Sequence, residues 1–207
     1  NVLLAQTGTK LAAVGKVVID PASGDVSSEL ITDYTAKEPV MAVFLQALEA
    51  GFSDILDQVV ADSEVDLTTM DPATGLRRIR NGETNLGDLV ADAYRVVMGA
   101  DIGMVNGGGI RADLEKGEIT YEDIINVHPY GNEMCLVEAT GQEILDALEL
   151  GVMNYPFEDG GFQHVSGLTF TIDASVPSSV VLDDSGAFAG VAGPYRVNDV
   201  LVNGQPL

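Results

Sequence analysis

Residues 100–111 read ADIGMVNGGGIR. The first half, residues 101–105, is a short apolar run of the kind that forms a buried strand. The second half sets three glycines between Asn106 and Ile110-Arg111. Consecutive glycines cost backbone entropy and give nothing to a core. They do let backbone N–H groups face an anion or a flat ring. No GxGxxG is present, no long helix follows Gly109, and no Gly-Lys-Ser/Thr closes the run, so neither a dinucleotide fingerprint nor a P-loop is at hand. On spacing alone, a triple glycine after a strand reads equally as a tight turn and as a binding floor.

Working outward, the chain alternates helix and strand signals. Thr84 and Asn85 are good N-cap types, with Asp88 three residues after Asn85, and the helix they open has Leu86, Leu89, Val90, Ala93 and Val97 as its apolar face. Downstream, Thr120-Tyr-Glu-Asp123 opens a short helix and residues 134–138 read as a strand. Thr140-Gly-Gln-Glu143 is a capping box whose helix ends at Gly151. Leu168, Phe170 and Ile172 alternate as in a half-buried strand. Val200-Leu201-Val202 runs into Asn203-Gly204, a hairpin signal. Upstream lies a loop over 68–76. Before it, from about Glu38, Pro39 suits a first helical position. Met41, Leu45, Leu48, Phe52, Ile55 and Val59 then form one stripe along a helix of about six turns, which Gly51 weakens by about 1 kcal/mol. With fewer than four heptads, this stripe is expected to pack on a domain rather than in a coiled coil. Two β-like runs, 2–5 and 15–20, come first, and Pro21-Ala-Ser-Gly-Asp25 is turn chemistry. The expected fold is mixed α/β (α+β): a mixed sheet with packed helices, preceded by a long linker helix.

The chain has 207 residues, 46% of them hydrophobic, and a formal net charge of −22. That length and apolar content fit one sizeable domain, or one domain with a piece of another. So acidic a chain is repelled by phosphate backbones, which argues against general nucleic-acid binding. No unbroken run of 18 apolar residues occurs, so no membrane segment is expected. The chain opens on Asn1-Val2-Leu3-Leu4 without a Met, read as a processed or excised boundary. Cys135 is the single cysteine. It cannot pair within the chain, and it reads as a small apolar residue on a strand.

Lys and Arg total 10 against 32 acids, and five of the ten are Arg77, Arg78, Arg80, Arg95 and Arg111. Arginine offers a planar fork of donors that suits phosphate and carboxylate. Arg95, inside a helix, reads as a partner for a nearby acid, and Arg78 carries no assignment. Arg80 and Arg111 each abut a candidate binding loop. In His128-Pro-Tyr-Gly-Asn132, proline fixes the chain before Tyr130 and Gly131 permits a sharp turn after it. Such an aromatic either covers core or stacks on a base or sugar at about 1–3 kcal/mol. A hydrolytic centre is not evident. His128 and His164 are the two histidines, far apart in sequence. No HxxxH, DxH or Cys-His cluster has metal-ligand spacing. Ser166 is outside any GxSxG elbow. His164 reads as a structural residue.

Four stretches together resemble the C-terminal domain of the 5′-nucleotidase family: GETNLGDLVADAYR (82–95), ADIGMVNGGGIRADLEKGEITYEDIINVHPYGN (100–132), LVEATGQEILDALE (136–149) and GGFQHVSGLTFTID (160–173). They occur in the family's order, and the resemblance covers about residues 77–207. It implies residual strands from the end of an N-terminal metallophosphoesterase domain over 1–35, a linker helix over 36–66, and the C-terminal domain, truncated at its end, over 67–207. It also implies a nucleotide-recognition domain of a secreted, periplasmic or cell-surface phosphohydrolase. Asn106 would hydrogen-bond the base, Arg80 and Arg111 would contact the ribose-phosphate end, and Tyr130, in HPYG where the family more commonly has LPFG, would stack on the base. Gly108 and Gly109 would keep the floor open. The catalytic pair and two divalent metals such as Zn or Mn belong to the N-terminal domain, expected upstream of Asn1, so no catalytic or metal residue is assigned in this chain. A second aromatic and a ribose-binding acid are expected downstream of Leu207, which leaves one-sided stacking and weak affinity. The same architecture serves 2′,3′-cyclic-nucleotide phosphodiesterases, UDP-sugar hydrolases and thiosulfate-ester hydrolases, and a non-catalytic surface binding module is the alternative of another class.

Overall fold

The computed structural model describes residues 6–7, 12–33 and 35–207. The β-like run expected at 2–5 lies outside them. The chain divides between Phe52 and Ser53 into two units.

In the first unit, β1 (Val14–Ile19) and β2 (Val26–Ile31) form an antiparallel hairpin from Val14↔Ile31 to Ile19↔Val26. The turn is the expected one. Asp20 accepts Ala22 N–H at 2.8 Å, and Gly24 sits at φ 76°, where a Cβ would be strained. Helix α1 (Pro39–Leu56) begins at the proline, with the Glu38 side chain accepting Met41 N–H at 2.6 Å. None of the helix's residues is buried. One expectation changes here: Val59 leaves the helix for a strand. The helix has 18 residues at mean hydropathy 1.3, long and apolar enough by length and composition to cross a bilayer, although Glu49 and Asp54 interrupt the apolar run.

The second unit is built on two apolar clusters. Strand β3 (Val59–Ser63) pairs antiparallel with β5 (Gly117–Thr120), and β4 (Gly103–Asn106) with β6 (Gln163–Ser166). β10 (Val197–Val202) lies between β7 (Leu168–Ile172) and the short β11 (Gln205–Pro206). β8 (Val180–Leu182) and β9 (Phe188–Val191) form a hairpin. The mixed α/β class holds, with the β component divided among small antiparallel ladders. Asn203 at φ 48° and Gly204 at φ 79° make the expected turn, both centres left-handed as a type I′ hairpin requires.

Helices α2 (Asn85–Met98), α3 (Tyr121–Val127) and α4 (Gly141–Gly151) begin where their caps predict. Thr120 and Thr140 each close a full capping box. The first cluster gathers Ile79, Leu86, Val90, Ala91, Val105, Ile110, Leu114, Ile119 and Val127. The second gathers Leu148, Val152, Phe162, Leu168 and Val197. The β4–β6 ladder stands between them. Its cross-strand pair Val105↔His164 is buried, with Val105 in the first cluster, and the next pair, Met104↔Val165, packs on the second. This is the alternation of a pleated strand buried on both faces.

Two further readings are corrected. Residues 134–138 are not a strand: they have no ladder partner, and Met134, Leu136, Val137 and Cys135 are exposed. The buried face of α2 is Leu86, Gly87, Val90 and Ala91, while Leu89, Ala93 and Val97 face solvent. Gly87 causes that rotation. A Cβ there would lie 2.0 Å from His164 Nδ1, so the helix rides directly on the buried imidazole. His164 is 2% exposed and hydrogen-bonds the Ile79 carbonyl through Nε2 at 2.9 Å. A carbonyl can only accept, so Nε2 carries the proton. Burial pushes the imidazole's pKa down, against the pull of the Ile79 bond and Glu83. The structural role expected for His164 is the one it has.

Candidate functional site

After β4, the glycines of residues 107–109 form a single 3₁₀ turn with Asn106 at its entrance. Close approach dictates the first two. A Cβ on Gly107 would lie 1.9 Å from the Ile79 carbonyl oxygen, and one on Gly108 would lie 2.8 Å from the Gly160 carbonyl oxygen. Backbone packing therefore accounts for these two glycines. At Gly109 the nearest neighbour is the Asn106 Oδ1, 3.4 Å from an added Cβ.

A segment to which the sequence reading gave no site role, the start of the 160–173 stretch and the acid before it, organises this turn. Gly107 N–H donates to the Phe162 carbonyl at 2.7 Å, and Gly108 N–H to the Gly160 carbonyl at 2.9 Å. The Asn106 side chain donates through Nδ2 to that same Gly160 oxygen at 2.9 Å. Because the carbonyl only accepts, the carboxamide orientation is fixed, and Oδ1 has no donor among the described residues. Asp159 N–H donates to the Arg80 carbonyl at 2.9 Å, and the Asp159 carboxylate holds Gly161 N–H and the Asn154 amide. The local sequence signal for this role is an acid before two glycines, in EDGG.

Arg111 follows buried Ile110. Its backbone N–H is anchored on the Val127 carbonyl at 3.0 Å, and its guanidinium donates to the Gly108 carbonyl at 3.3 Å. It also lies 5.9 Å from the Tyr130 ring centroid, a cation–π contact. Tyr130 is 60% exposed and so does not cover core. Gly131 turns the chain after it at φ 61°. Behind the loop, His128 closes α3 against the Tyr94 ring, and burial lowers its pKa.

Asn106, Gly108, Gly109, Arg111 and Tyr130 thus meet on two adjoining loops. Arg80 joins through its carbonyl, and among the described residues its guanidinium makes no ion pair or hydrogen bond. Its charge helps to hold Glu158 below the usual carboxylate range, secondary to the Arg77 hydrogen bond. The other arginines are engaged. Arg77 pairs with Glu158, and Arg78 reaches Asp71 at 3.7 Å and the Glu83 carbonyl at 3.1 Å. Arg95 donates to Ser166 at 2.7 Å and faces Asp92, the acid pairing expected of it.

A separate cleft of about 440 Å³ is lined by Arg78, Glu83, Asp88, Tyr155, His164 and Phe170, among others, and by none of the six candidate residues. It opens one strand away from Asn106, across the β4–β6 ladder. Burial there, with the charges of Glu83 and Asp92, pushes the Asp88 carboxyl up to about 6. Among the described residues no three His, Cys, Asp or Glu side chains converge as metal ligands. The side chains present do not fit the two metals of the resemblance.

Comparison with known proteins agrees with this architecture. Residues 59–207 match the model of the 5′-nucleotidase C-terminal domain. The trifunctional nucleotide phosphoesterase protein YfkN of Bacillus subtilis is 33% identical over 161 residues, covering 75% of this chain and 11% of that protein. A 5′-nucleotidase of Vibrio parahaemolyticus is 30% identical over 160 residues, covering 77% of this chain and 27% of its own length. The crystal structure of a 5′-nucleotidase precursor from Thermus thermophilus superposes with a TM-score of 0.63 at 32% identity, over 87% of this chain and 38% of that one. The chain therefore spans a minor part of the relatives it matches. With its capped helices, glycine turn and HPYG loop in the order of that domain, it belongs to the 5′-nucleotidase family.

Proposed function

We propose that this chain is the nucleotide-recognition part of a larger phosphohydrolase that acts on nucleotide phosphate esters outside the cytoplasm. The observation that carries this reading is the grouping of an exposed aromatic, a cation and an oriented amide on two loops: Tyr130 beneath Arg111, next to Asn106. Tyr130 offers a stacking face, worth about 1–3 kcal/mol per base. Asn106 presents Oδ1 to the base edge. Arg111 and the unpaired Arg80 supply donors for the ribose-phosphate end. In this reading, two divalent metals held by an N-terminal metallophosphoesterase domain supply the hydrolytic chemistry. The residues described here bind and orient the substrate, a proximity contribution. The Thermus thermophilus relative is a 5′-nucleotidase precursor, which supports a location outside the cytoplasm, periplasmic or extracellular.

The test is an NMR titration of the chain with adenosine and with AMP. Both ligands should shift the Asn106 and Tyr130 signals, and AMP should also shift those of Arg80 and Arg111. Tyr130→Ala should weaken binding about tenfold. Silence of all four residues at millimolar ligand removes the site assignment. The chain with added metal should not hydrolyse AMP, and robust metal-dependent turnover would contradict the division of labour. Profiling the parent enzyme against AMP, 2′,3′-cyclic nucleotides and UDP-sugars separates the substrate classes.

A further inference from the structure

Arg196 is the only Lys or Arg after Lys116. It is 4% exposed, and its guanidinium is spent on backbone: Nη1 donates to the carbonyls of Val152 at 2.8 Å and Met153 at 3.3 Å, and Nη2 to that of Tyr155 at 2.7 Å. Its carbon Cζ lies 5.9 Å from the Tyr155 ring centroid. Glu149, in the last turn of α4 and 0% exposed, fixes where Arg196 starts. Its Oε2 accepts the N–H groups of Arg196 and Val197 at 2.9 and 3.0 Å. The pair leaves Glu149 Oε1 and Arg196 Nε buried without partners among the described residues. Buried unpaired polar atoms cost stability, and an apolar replacement of such a pair is often at least as stable. What this pair uniquely supplies is geometry.

We propose that Arg196 is a positioning residue for the nucleotide site, acting through the strap of residues 152–162. One end of the strap hangs on the Arg196 fork. The other end ties down the glycine turn and its neighbour Arg80: Asp159 N–H to the Arg80 carbonyl, Gly160 oxygen to Asn106 and Gly108, and Phe162 oxygen to Gly107. Two further ties hold the middle of the strap, the Arg77–Glu158 pair and the Asn81 amide to the Pro156 carbonyl at 3.1 Å. Both are solvent-exposed, and exposed pairs fix geometry weakly, whereas buried charge-assisted hydrogen bonds fix it firmly. Arg196 touches no candidate ligand-binding residue. A lysine in its place keeps the charge but cannot span three carbonyls with a planar fork.

The inference rests on the nucleotide reading only for its binding arm, and the experiment separates the two. Hydrogen exchange and side-chain amide spectra are recorded for the chain and for Arg196→Lys, with adenosine affinity measured alongside. In a folded Arg196→Lys, the Gly107 and Gly108 amides should exchange about tenfold faster, the loss of roughly one hydrogen bond's ordering. The Asn106 carboxamide signal should move, and adenosine should bind about tenfold more weakly. The Asp123 amide, held by Thr120 at 3.2 Å in α3, should keep its protection relative to global unfolding. Uniform loss of protection, or wild-type behaviour at Gly107, Gly108 and Asn106, would overturn the proposal. If the unsubstituted chain binds no adenosine, the nucleotide reading fails while the exchange comparison still decides this one. If Arg196→Lys does not fold, Glu149→Gln loosens the same clamp by removing its charge, and it must change the same three signals for the proposal to stand.

Discussion

At the scale of single residues, the most testable group is Asp88. Its folded pKa of about 6 stands above the ordinary aspartate value of 3.8, through burial first and then Glu83 and Asp92. The folded chain therefore holds this proton to higher pH than the unfolded chain does. Between about pH 4 and 6 the folded state binds more protons, so Asp88's contribution to stability falls as pH rises and stays unfavourable above that window. Asp88→Asn should raise the thermal midpoint above about pH 6 and converge with the unsubstituted chain near about pH 4. A midpoint difference that ignores pH would show that the carboxyl is not strained. His164 works in the opposite sense, since a lowered imidazole pKa costs stability as pH falls below the unfolded value, and comparing the two chains cancels it. The residues of the site differ in how they announce themselves. In the proposed site, Asn106, Arg111 and Tyr130 would act through side chains set in a motif, so sequence exposes them. Gly160 acts through its carbonyl, which every residue possesses, and only coordinates could reveal it.

At the scale of elements, legibility follows locality. The boxes at Thr120 and Thr140 are contained within four residues, and both helices begin there. Thr140→Ala removes the acceptor for Glu143 N–H and the hydroxyl that donates to the Glu143 carboxylate, leaving the backbone N–H of residue 140 on that carboxylate. This should destabilise the chain by about 1 kcal/mol in a denaturant titration. Hydrogen bonds from Thr140 hold the Glu143 carboxyl below its usual range, so the penalty should shrink in acid, where that carboxylate is protonated. A penalty unchanged in acid would assign the cap to the threonine alone. Residues 134–138 have the composition of a strand, but a strand exists only with a neighbour to pair with, and no local pattern reports that neighbour. The α2 face was misjudged for a related reason. Hydropathy gives Gly87 no weight, yet the absence of its side chain is what seats the helix on His164.

At the scale of the whole molecule, the net charge of −22 and the sparse arginines shape what the chain can approach, and the second unit holds it together through two apolar clusters. Each cluster is small, and each alone resembles the core of a marginal domain. The β4–β6 ladder gives both clusters the same wall, one cross-strand pair turned to each side. Neither cluster can lose its packing while the other keeps a flat, hydrogen-bonded wall. Leu148→Ala in the second cluster should therefore cost about 2–5 kcal/mol and lower protection in the first as well. Calorimetry of residues 53–207 should give a single endotherm with equal calorimetric and van't Hoff enthalpies. Two resolved transitions would refute that. The shared ladder makes the pair of cores one cooperative unit, in which a disturbance on either side is felt as a loss of the whole.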